Sequence, residues 1–204
     1  MDNLRLFVGI RPPEAVVDEI HRTRTQLESQ MGGRAVRWIP AKNYHLTLHF
    51  LGDTPPALAG DVQAAMHDAA ELSTEPADLS LHEVSAFPNP GRARVLVVTV
   101  DDHGSALERI AGRLVLALRG RLGDESVRTD DRPFTPHLTL GYLRRSATAG
   151  DRRAIGPALR SARIDQIRFR ANRLLLVQSV PGPDGSRYTE IDSATLGVTS
   201  REQP

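Results

Sequence analysis

The sequence predicts an α+β protein with two similar lobes of antiparallel sheet and helices, related by an approximate two-fold axis and separated by a cleft. Apolar segments with strand-like alternation are interspersed with helical segments along the chain. The tetrapeptide His-Leu-Thr-Leu begins at His45 and again at His137, an interval of 92 residues. Strands and helices recur around both copies at this interval, which indicates an internal duplication.

The first half of the chain alternates strands with helices. "LRLFVGI" is typical of a strand, and the next segment opens with prolines and a glutamate, which favours a helix that ends near Gly32 and Gly33. The predicted elements are a strand over residues 4–10, a helix over 12–30, a strand over 44–50, a helix over 53–72, and strands over 79–87 and 94–100.

The strand "YHLTLHF" has a period of two. Leu46, Leu48 and Phe50 alternate with polar residues, so we expect these three to face the core. The same alternation predicts that His45, Thr47 and His49 lie on the opposite face of the strand.

The second half repeats this order when it is shifted by 92 residues. Residues 4–20 then align with 96–112 as strand, turn and helix, and the helix after Asp53 aligns with the one after Arg145. Residues 80–87 align with 172–179, and the strand from Arg94 aligns with that from Ser186. We therefore expect a single bilobal domain over residues 1–196, followed by a flexible tail over 197–204.

The composition narrows the classes of function. The 26 basic and 25 acidic residues nearly cancel, so any contact with nucleic acid should be local. Because there is no cysteine, disulfides and thiol catalysis are excluded. The amino-terminal apolar run is too short for a secretory or membrane segment, so we expect no membrane partner and a cytoplasmic protein, most simply a monomer.

Two histidines on opposite sides of one cleft suit acid and base catalysis. With ordinary pKa values near 6.5, one imidazole can accept a proton while the other donates one. This division of roles fits hydrolysis of a phosphodiester, in which a base activates water and an acid protonates the leaving oxygen. Each threonine, Thr47 and Thr139, follows its histidine by two residues and can donate its hydroxyl proton to a phosphate oxygen.

This scheme needs no metal ion and no other cofactor. The spacing of His45 and His49 could suggest a zinc pair on a helix, but the leucine alternation opposes a helix there. No P-loop, dinucleotide-binding or serine-nucleophile motif is present in the sequence.

"HLTLHFLGD" at His45 and "RPFTPHLTLGY" at Arg132 resemble the paired motifs of the two-histidine phosphoesterases, above all the LigT-like RNA 2′,3′-cyclic phosphodiesterases, also called 2′-5′ RNA ligases. "RLFVGIRPP", "SAFPNPGRARVLVV" and "LVQSVPGPDGSRYTEI" occur in that family's usual order, so the resemblance covers nearly the whole chain. One such motif is weak, whereas two within these flanking sequences are specific.

The resemblance implies a bilobal α+β fold and hydrolysis of a terminal ribose 2′,3′-cyclic phosphate to a 2′-phosphate, together with reversible 2′-5′ ligation. The partners would be RNA ends or small nucleotides with such a phosphate. On the family's pattern His45 would be the proton donor and His137 the proton acceptor. The alternatives are a nucleotide or RNA-end binding module with little turnover, or a phosphodiesterase for 2′-5′ oligonucleotides or another cyclic phosphate.

The chain departs from the family at positions that affect phosphate binding. Tyr142 occupies a position where an arginine is common, and Thr135 stands where a second arginine often precedes the proline. We retain Tyr142 as a substrate-binding residue beside the two threonines. Phe7 could stack on a base or pack in the core, and Arg94 could contact a phosphate or remain in solvent.

Overall fold

The computed structural model describes residues 2–31, 34–127, 133–182 and 185–197. These residues form nine strands and four α-helices. In chain order the elements are β1 (Leu4–Ile10), α1 (Glu14–Met31), β2 (Val36–Trp38), β3 (Leu46–Thr54), α2 (Ala59–Glu71), β4 (Ala77–Phe87), β5 (Val95–His103), α3 (Ala106–Leu122), β6 (His137–Leu143), α4 (Ala149–Ser161), β7 (Arg168–Ala171), β8 (Arg173–Val180) and β9 (Arg187–Thr195).

All nine strands belong to one curled antiparallel sheet. The order is β7-β4-β5-β6-β3-β1-β8-β9, and the short β2 pairs with β6 outside this path. At the centre, β3 and β6 pair through Leu46 and Leu138 alone among the described residues. The two strands that contain the His-Leu-Thr-Leu tetrapeptides therefore touch at one point and diverge from it, which opens a cleft.

The sheet order has the predicted pseudo-two-fold symmetry about that contact. Outward from the centre, β6, β5 and β4 lie on one side, and β3, β1 and β8 lie on the other. Exchanging the halves matches β1 with β5, β3 with β6, and β4 with β8, as the shift of 92 residues predicts. The bilobal α+β fold is thus confirmed, while the duplication of the sequence stays a prediction.

The lobes are not contiguous in the chain. β4 belongs by sequence to the first half but pairs with β5 of the second, and β8 pairs with β1 in the same crossed way. The strands from Arg94 and Ser186, which align by the same shift, are both present as β5 and β9. They are not equivalent in the sheet, because β5 occupies the place that corresponds to β1 whereas β9 lies at the sheet edge. Each half of the chain therefore contributes one strand, β4 or β8, to the lobe formed by the other half, so neither half completes its part of the sheet alone.

The four helices cover the convex face of the sheet and form the main core. Their buried faces show the helical spacing expected for one apolar stripe, as in α1, where Val16, Ile20 and Leu27 are fully buried. The concave face has a smaller apolar cluster of Phe7, Leu175 and Val177. No helix in the described ranges is long and apolar enough to span a membrane.

A β-bulge corrects the predicted faces of the first motif strand. Val8 pairs with His49 but Gly9 pairs with Thr47, so Leu48 is the extra residue in β3. After it the alternation is reversed: His49 is only 9% exposed and Phe50 is 46% exposed. The prediction that Phe50 faces the core and that His49 shares the face of His45 is therefore wrong.

The second motif strand has its irregularity at the equivalent place. Leu96 pairs with Gly141 and Val97 with Thr139, which leaves Leu140 as the extra residue in β6. Because this extra residue reverses the alternation, Tyr142 lies on the same concave face as His137 and Thr139. Phe50 and Tyr142, each five residues after the motif histidine, are therefore equivalent under the pseudo-two-fold.

Some predicted boundaries differ from the structure. Residues 53 and 54 belong to β3, and α2 begins only at Ala59, because a 3₁₀ turn that starts at Pro56 lies between them. The predicted end of the first helix at Gly32 and Gly33 lies outside the described residues, as does all of the predicted tail after Gly197.

We expect Gly9→Ala to destabilise the protein by about 1–3 kcal/mol, the usual range for overpacking. A Cβ at position 9 would lie 2.5 Å from the Leu46 carbonyl oxygen, so β1 would have to separate from β3. Urea denaturation followed by Trp38 fluorescence measures the change in the free energy of unfolding.

Gly112→Ala is the matched control. Gly112 lies in α3, and a Cβ added there would have no heavy atom within 4 Å beyond its own helix backbone, so alanine should stabilise the helix by roughly 0.5–1 kcal/mol. Equal stability of Gly9→Ala and the wild type would contradict the close β1–β3 approach.

Candidate active site

The motif histidines and threonines lie on the concave face around the β3–β6 contact. Leu46 and Leu138 are 1% and 0% exposed, which directs them into the core. Their neighbours in both strands point the other way, because side chains alternate along a strand. Continuing the antiparallel register places His45 opposite Thr139 and His137 opposite Thr47. Each histidine is thus next to the threonine of the other motif.

Both histidines are oriented by the same backbone hydrogen bond. His45 Nδ1–H donates to the Asn43 carbonyl oxygen at 2.7 Å, and His137 Nδ1–H donates to the Thr135 carbonyl oxygen at 2.7 Å. Because a carbonyl oxygen only accepts, Nδ1 must keep its proton in either charge state of the ring. Nε2 is therefore the nitrogen of each ring that is free to exchange a proton with a substrate.

The aromatic surroundings of the two rings differ. Phe7 stacks on His45 with ring centroids 4.6 Å apart and an interplanar angle of 29°, and Tyr188 meets His45 edge-on at 5.1 Å. His137 contacts Phe87 edge-on at 4.9 Å. The pseudo-two-fold symmetry of the backbone is thus broken by side chains, and His45 is the more enclosed ring.

Burial lowers the pKa of both histidines. For His45 the hydrogen bond to Asn43 opposes the shift, and the charge of His137 adds to it. For His137 the hydrogen bond to Thr135 likewise opposes the effect of burial. The charge of His137 lowers the pKa of His45, so two imidazolium ions at once are disfavoured.

The β8–β9 connection helps to position His45. Asn43, 7% exposed, donates its side-chain Nδ2–H to the Ser186 carbonyl oxygen at 2.8 Å. The same residue's main-chain oxygen holds His45. The far end of the chain is therefore coupled to the orientation of the first histidine through one residue.

The structure brings some predicted substrate residues together and separates others. Thr47 and Thr139 are half-buried on the concave face, and Tyr142 is 38% exposed near them. Phe7 is 3% exposed and supports His45, so its ring is not free to receive a base. Arg94 is exposed at the start of β5, and its side chain has no hydrogen bond or ion pair with any described residue.

Several residues at the site were missed by sequence reasoning. Asn43 lies two residues before His45 and could have been found by asking which local carbonyl oxygen accepts from the histidine. Arg37, Phe87 and Tyr188 lie in β2, β4 and β9, and nothing local marks them as site residues. Only sheet curvature brings them to the cleft.

No group of three or more histidine, aspartate or glutamate side chains with metal-binding geometry occurs within the described ranges. His49, which suggested a zinc pair with His45, lies on the other side of the sheet. Its pKa is lowered, first by burial and then by Arg119, which fits a neutral histidine within the core.

Comparison with known proteins assigns the chain to a family. The model of the LigT-like phosphoesterases matches residues 10–97. An RNA 2′,3′-cyclic phosphodiesterase of Thermus thermophilus is 32% identical over 203 residues, covering 98% of this chain and 94% of that protein. The chain belongs to the LigT-like phosphoesterase family. The predicted family and enzyme class, a phosphodiesterase, are confirmed.

Other known proteins are similar to this chain in sequence or in fold. An RNA 2′,3′-cyclic phosphodiesterase of Aquifex aeolicus is 25% identical over 198 residues, covering 97% of this chain and all (100%) of that protein. A crystal structure from Thermus thermophilus superposes with a TM-score of 0.79 at 27% identity, covering 95% of this chain and 98% of that one. Escherichia coli LigT complexed with 3′-AMP has the same fold, with a TM-score of 0.68, 24% identity, and coverage of 95% and 98%.

We expect the pH optimum of kcat/KM to lie on the acid side of 6.5. The rate should rise with pH as the base loses its proton and fall as the acid loses its own, and burial lowers the pKa of both histidines. Initial rates on a nucleoside 2′,3′-cyclic phosphate from pH 4.5 to 9 measure this, with circular dichroism at each pH as the control for folding. An optimum above pH 7 would contradict it.

Proposed function

We propose that the protein hydrolyses a terminal ribose 2′,3′-cyclic phosphate to a 2′-phosphate without a metal ion, using His45 as proton donor and His137 as proton acceptor. The observation that carries the proposal is the matched pair of imidazoles, each with Nδ1–H held by a carbonyl and Nε2 left for chemistry. The substrate class is supported by the relatives named RNA 2′,3′-cyclic phosphodiesterase.

The reaction needs two proton transfers. Neutral His137 accepts a proton at Nε2 from water as the water oxygen attacks phosphorus. The bond between phosphorus and O3′ breaks, and O3′ receives the proton from Nε2 of protonated His45. The product has a 2′-phosphate and a free 3′-hydroxyl. His137 is then protonated and His45 neutral, so exchange with solvent restores the starting state.

The asymmetry of the cleft supports this assignment of roles. The leaving oxygen stays on the ribose, so the donor must face the nucleoside. His45 lies on the side lined by Phe7 and Tyr188, an apolar surface suited to a nucleoside. The less enclosed His137 is better placed to receive water.

Thr47 and Thr139 support the phosphate. Each follows its histidine by two residues on the same face and lies opposite the other histidine in the register. Their hydroxyls would donate hydrogen bonds to the non-bridging oxygens, on which charge increases during attack. The two threonines are the hydroxyl donors that the paired motifs place on this face of the sheet.

One chain supplies both histidines and both threonines, which supports the monomer predicted from the sequence. RNA ends or small nucleotides with a cyclic phosphate are the substrates that we propose, and the cytoplasm is the compartment. The same chemistry with the 5′-hydroxyl of a second RNA in place of water would form a 2′-5′ linkage: the 5′ oxygen bonds to phosphorus, the bond to O3′ breaks, and O3′ receives the proton. Incubating a 5′-hydroxyl RNA with a cyclic-phosphate RNA and testing the product for resistance to 3′-5′-specific nuclease examines this activity.

We expect His45→Ala and His137→Ala each to lower kcat at least a hundredfold, the lower end of the usual contribution of general acid and base catalysis. The substrate is adenosine 2′,3′-cyclic phosphate in EDTA, and phosphorus NMR distinguishes a 2′-phosphate product from a 3′-phosphate.

His21→Ala is the matched control, because His21 is exposed on α1 and far from the motifs in sequence. It should retain wild-type activity. Loss of activity on chelation, or full activity in both motif variants, would rule out the proposal. Tight binding of adenosine 2′-phosphate without turnover at any pH would instead indicate the binding module.

A further inference from the structure

Arg37 presents a guanidinium at the edge of the cleft without any acidic partner among the described residues. It lies on β2, which pairs with β6 at Tyr142. Its guanidinium carbon is 5.1 Å from the centre of the Tyr142 ring, a cation–π arrangement. A Cβ added at Gly185 would lie 3.4 Å from Arg37 Nη1, so Gly185 of the β8–β9 connection is also close to this guanidinium.

A second arginine is stacked on the pseudo-symmetric aromatic ring. Arg5 on β1 lies with its guanidinium carbon 5.0 Å from the centre of the Phe50 ring. Phe50 and Tyr142 correspond under the pseudo-two-fold, so each motif strand positions one aromatic ring beneath one arginine. Arg5 likewise has no ion pair within the described part of the chain.

Both arginines are within electrostatic reach of the Tyr188 hydroxyl. Burial raises the pKa of Tyr188, Tyr142 adds to the rise, and Arg37 and Arg5 oppose it. The Tyr188 ring is 5.1 Å from the ring of His45. Tyr188 therefore joins two features of the cleft: its ring contacts His45, and its hydroxyl is influenced by the charge of Arg37.

We propose that Arg37, assisted by the Tyr188 hydroxyl, binds a phosphate of the substrate that does not react: the phosphodiester on the 5′ side of the terminal nucleotide. The inference rests on the proposed function, since it extends that site by one linkage. A guanidinium held flat on an aromatic ring keeps its N–H donors aligned for two phosphate oxygens. An RNA end would then be preferred over a mononucleoside.

The reacting phosphate is a weaker candidate for this arginine. Arg37 pairs with Tyr142, which lies three residues along β6 from Thr139, the residue opposite His45 in the register. The reacting phosphate must touch both histidines, whereas Arg37 stands one side chain further out. The 5′ phosphodiester leaves the ribose on the donor side, in the direction of Tyr188.

The test compares adenosine 2′,3′-cyclic phosphate with the dinucleotide ApA 2′,3′-cyclic phosphate for the wild type, Arg37→Gln and Arg37→Lys. We expect the wild type to prefer the dinucleotide in kcat/KM. The kcat/KM of Arg37→Gln on the dinucleotide should be roughly tenfold or more below that of the wild type, as expected for loss of a charged hydrogen bond. Its kcat/KM on the mononucleoside should stay within about twofold of the wild-type value. The kcat/KM of Arg37→Lys on the dinucleotide should lie between those of the wild type and Arg37→Gln, because lysine keeps the positive charge but lacks the paired N–H donors of the guanidinium.

Arg153→Gln is the control, since Arg153 is an exposed arginine of α4 outside the cleft. It should behave as the wild type on both substrates. The dinucleotide advantage of the wild type should also fall with rising salt, and less steeply in Arg37→Gln.

Two results would overturn the inference: equal loss on both substrates in Arg37→Gln, or no dinucleotide preference in the wild type. Calorimetry that measures the affinity for ApA 2′-phosphate and for adenosine 2′-phosphate distinguishes failure of this phosphate site from failure of the proposed reaction. Arg37-dependent preference for ApA 2′-phosphate without turnover of either substrate would support the phosphate site and overturn the proposed reaction. Equal binding of both products by the wild type and Arg37→Gln would overturn the phosphate site.

Discussion

The structure depends on the contact between β3 and β6 at Leu46 and Leu138. Two fully buried leucines fix the point at which the halves of the sheet meet. Because the neighbouring residues in a strand face the other way, burial of these leucines is also what directs His45, Thr47, His137 and Thr139 into the cleft. A shift of one residue in this register would bury the histidines and expose the leucines. The apolar core therefore enforces the geometry of the site.

A nearly symmetric frame supports an asymmetric reaction. Backbone symmetry gives both imidazoles the same tautomer, through equivalent bonds to Asn43 and Thr135. Acid and base catalysis nevertheless needs two different protonation states. The surroundings of the two rings differ through side chains outside the repeated motif: Phe7 and Tyr188 contact His45, whereas Phe87 alone of the described aromatics contacts the ring of His137. Burial lowers the pKa of both histidines, so the enclosure of His45 does not by itself keep that ring protonated.

The bulges at Leu48 and Leu140 have a matching consequence in each strand. By reversing the alternation after the motif histidines and threonines, they bring Phe50 and Tyr142 to the concave face. Each ring then supports an arginine from another strand. Bulges commonly redirect side chains beside active sites. Here each bulge adds one aromatic side chain, Phe50 or Tyr142, to the concave surface beyond the motif residues of its strand.

The sequence by itself determined the fold class, the order of the elements and the four motif residues, because alternation and a repeated tetrapeptide are local signals. It failed at His49 and Phe50, since a period of two cannot reveal an extra residue that only a partner strand defines. It could not place Arg37, Phe87 or Tyr188, nor foresee that β4 and β8 exchange between halves. Those features come from strand pairing between distant segments and from the curl of the sheet, so the tertiary structure alone decided them.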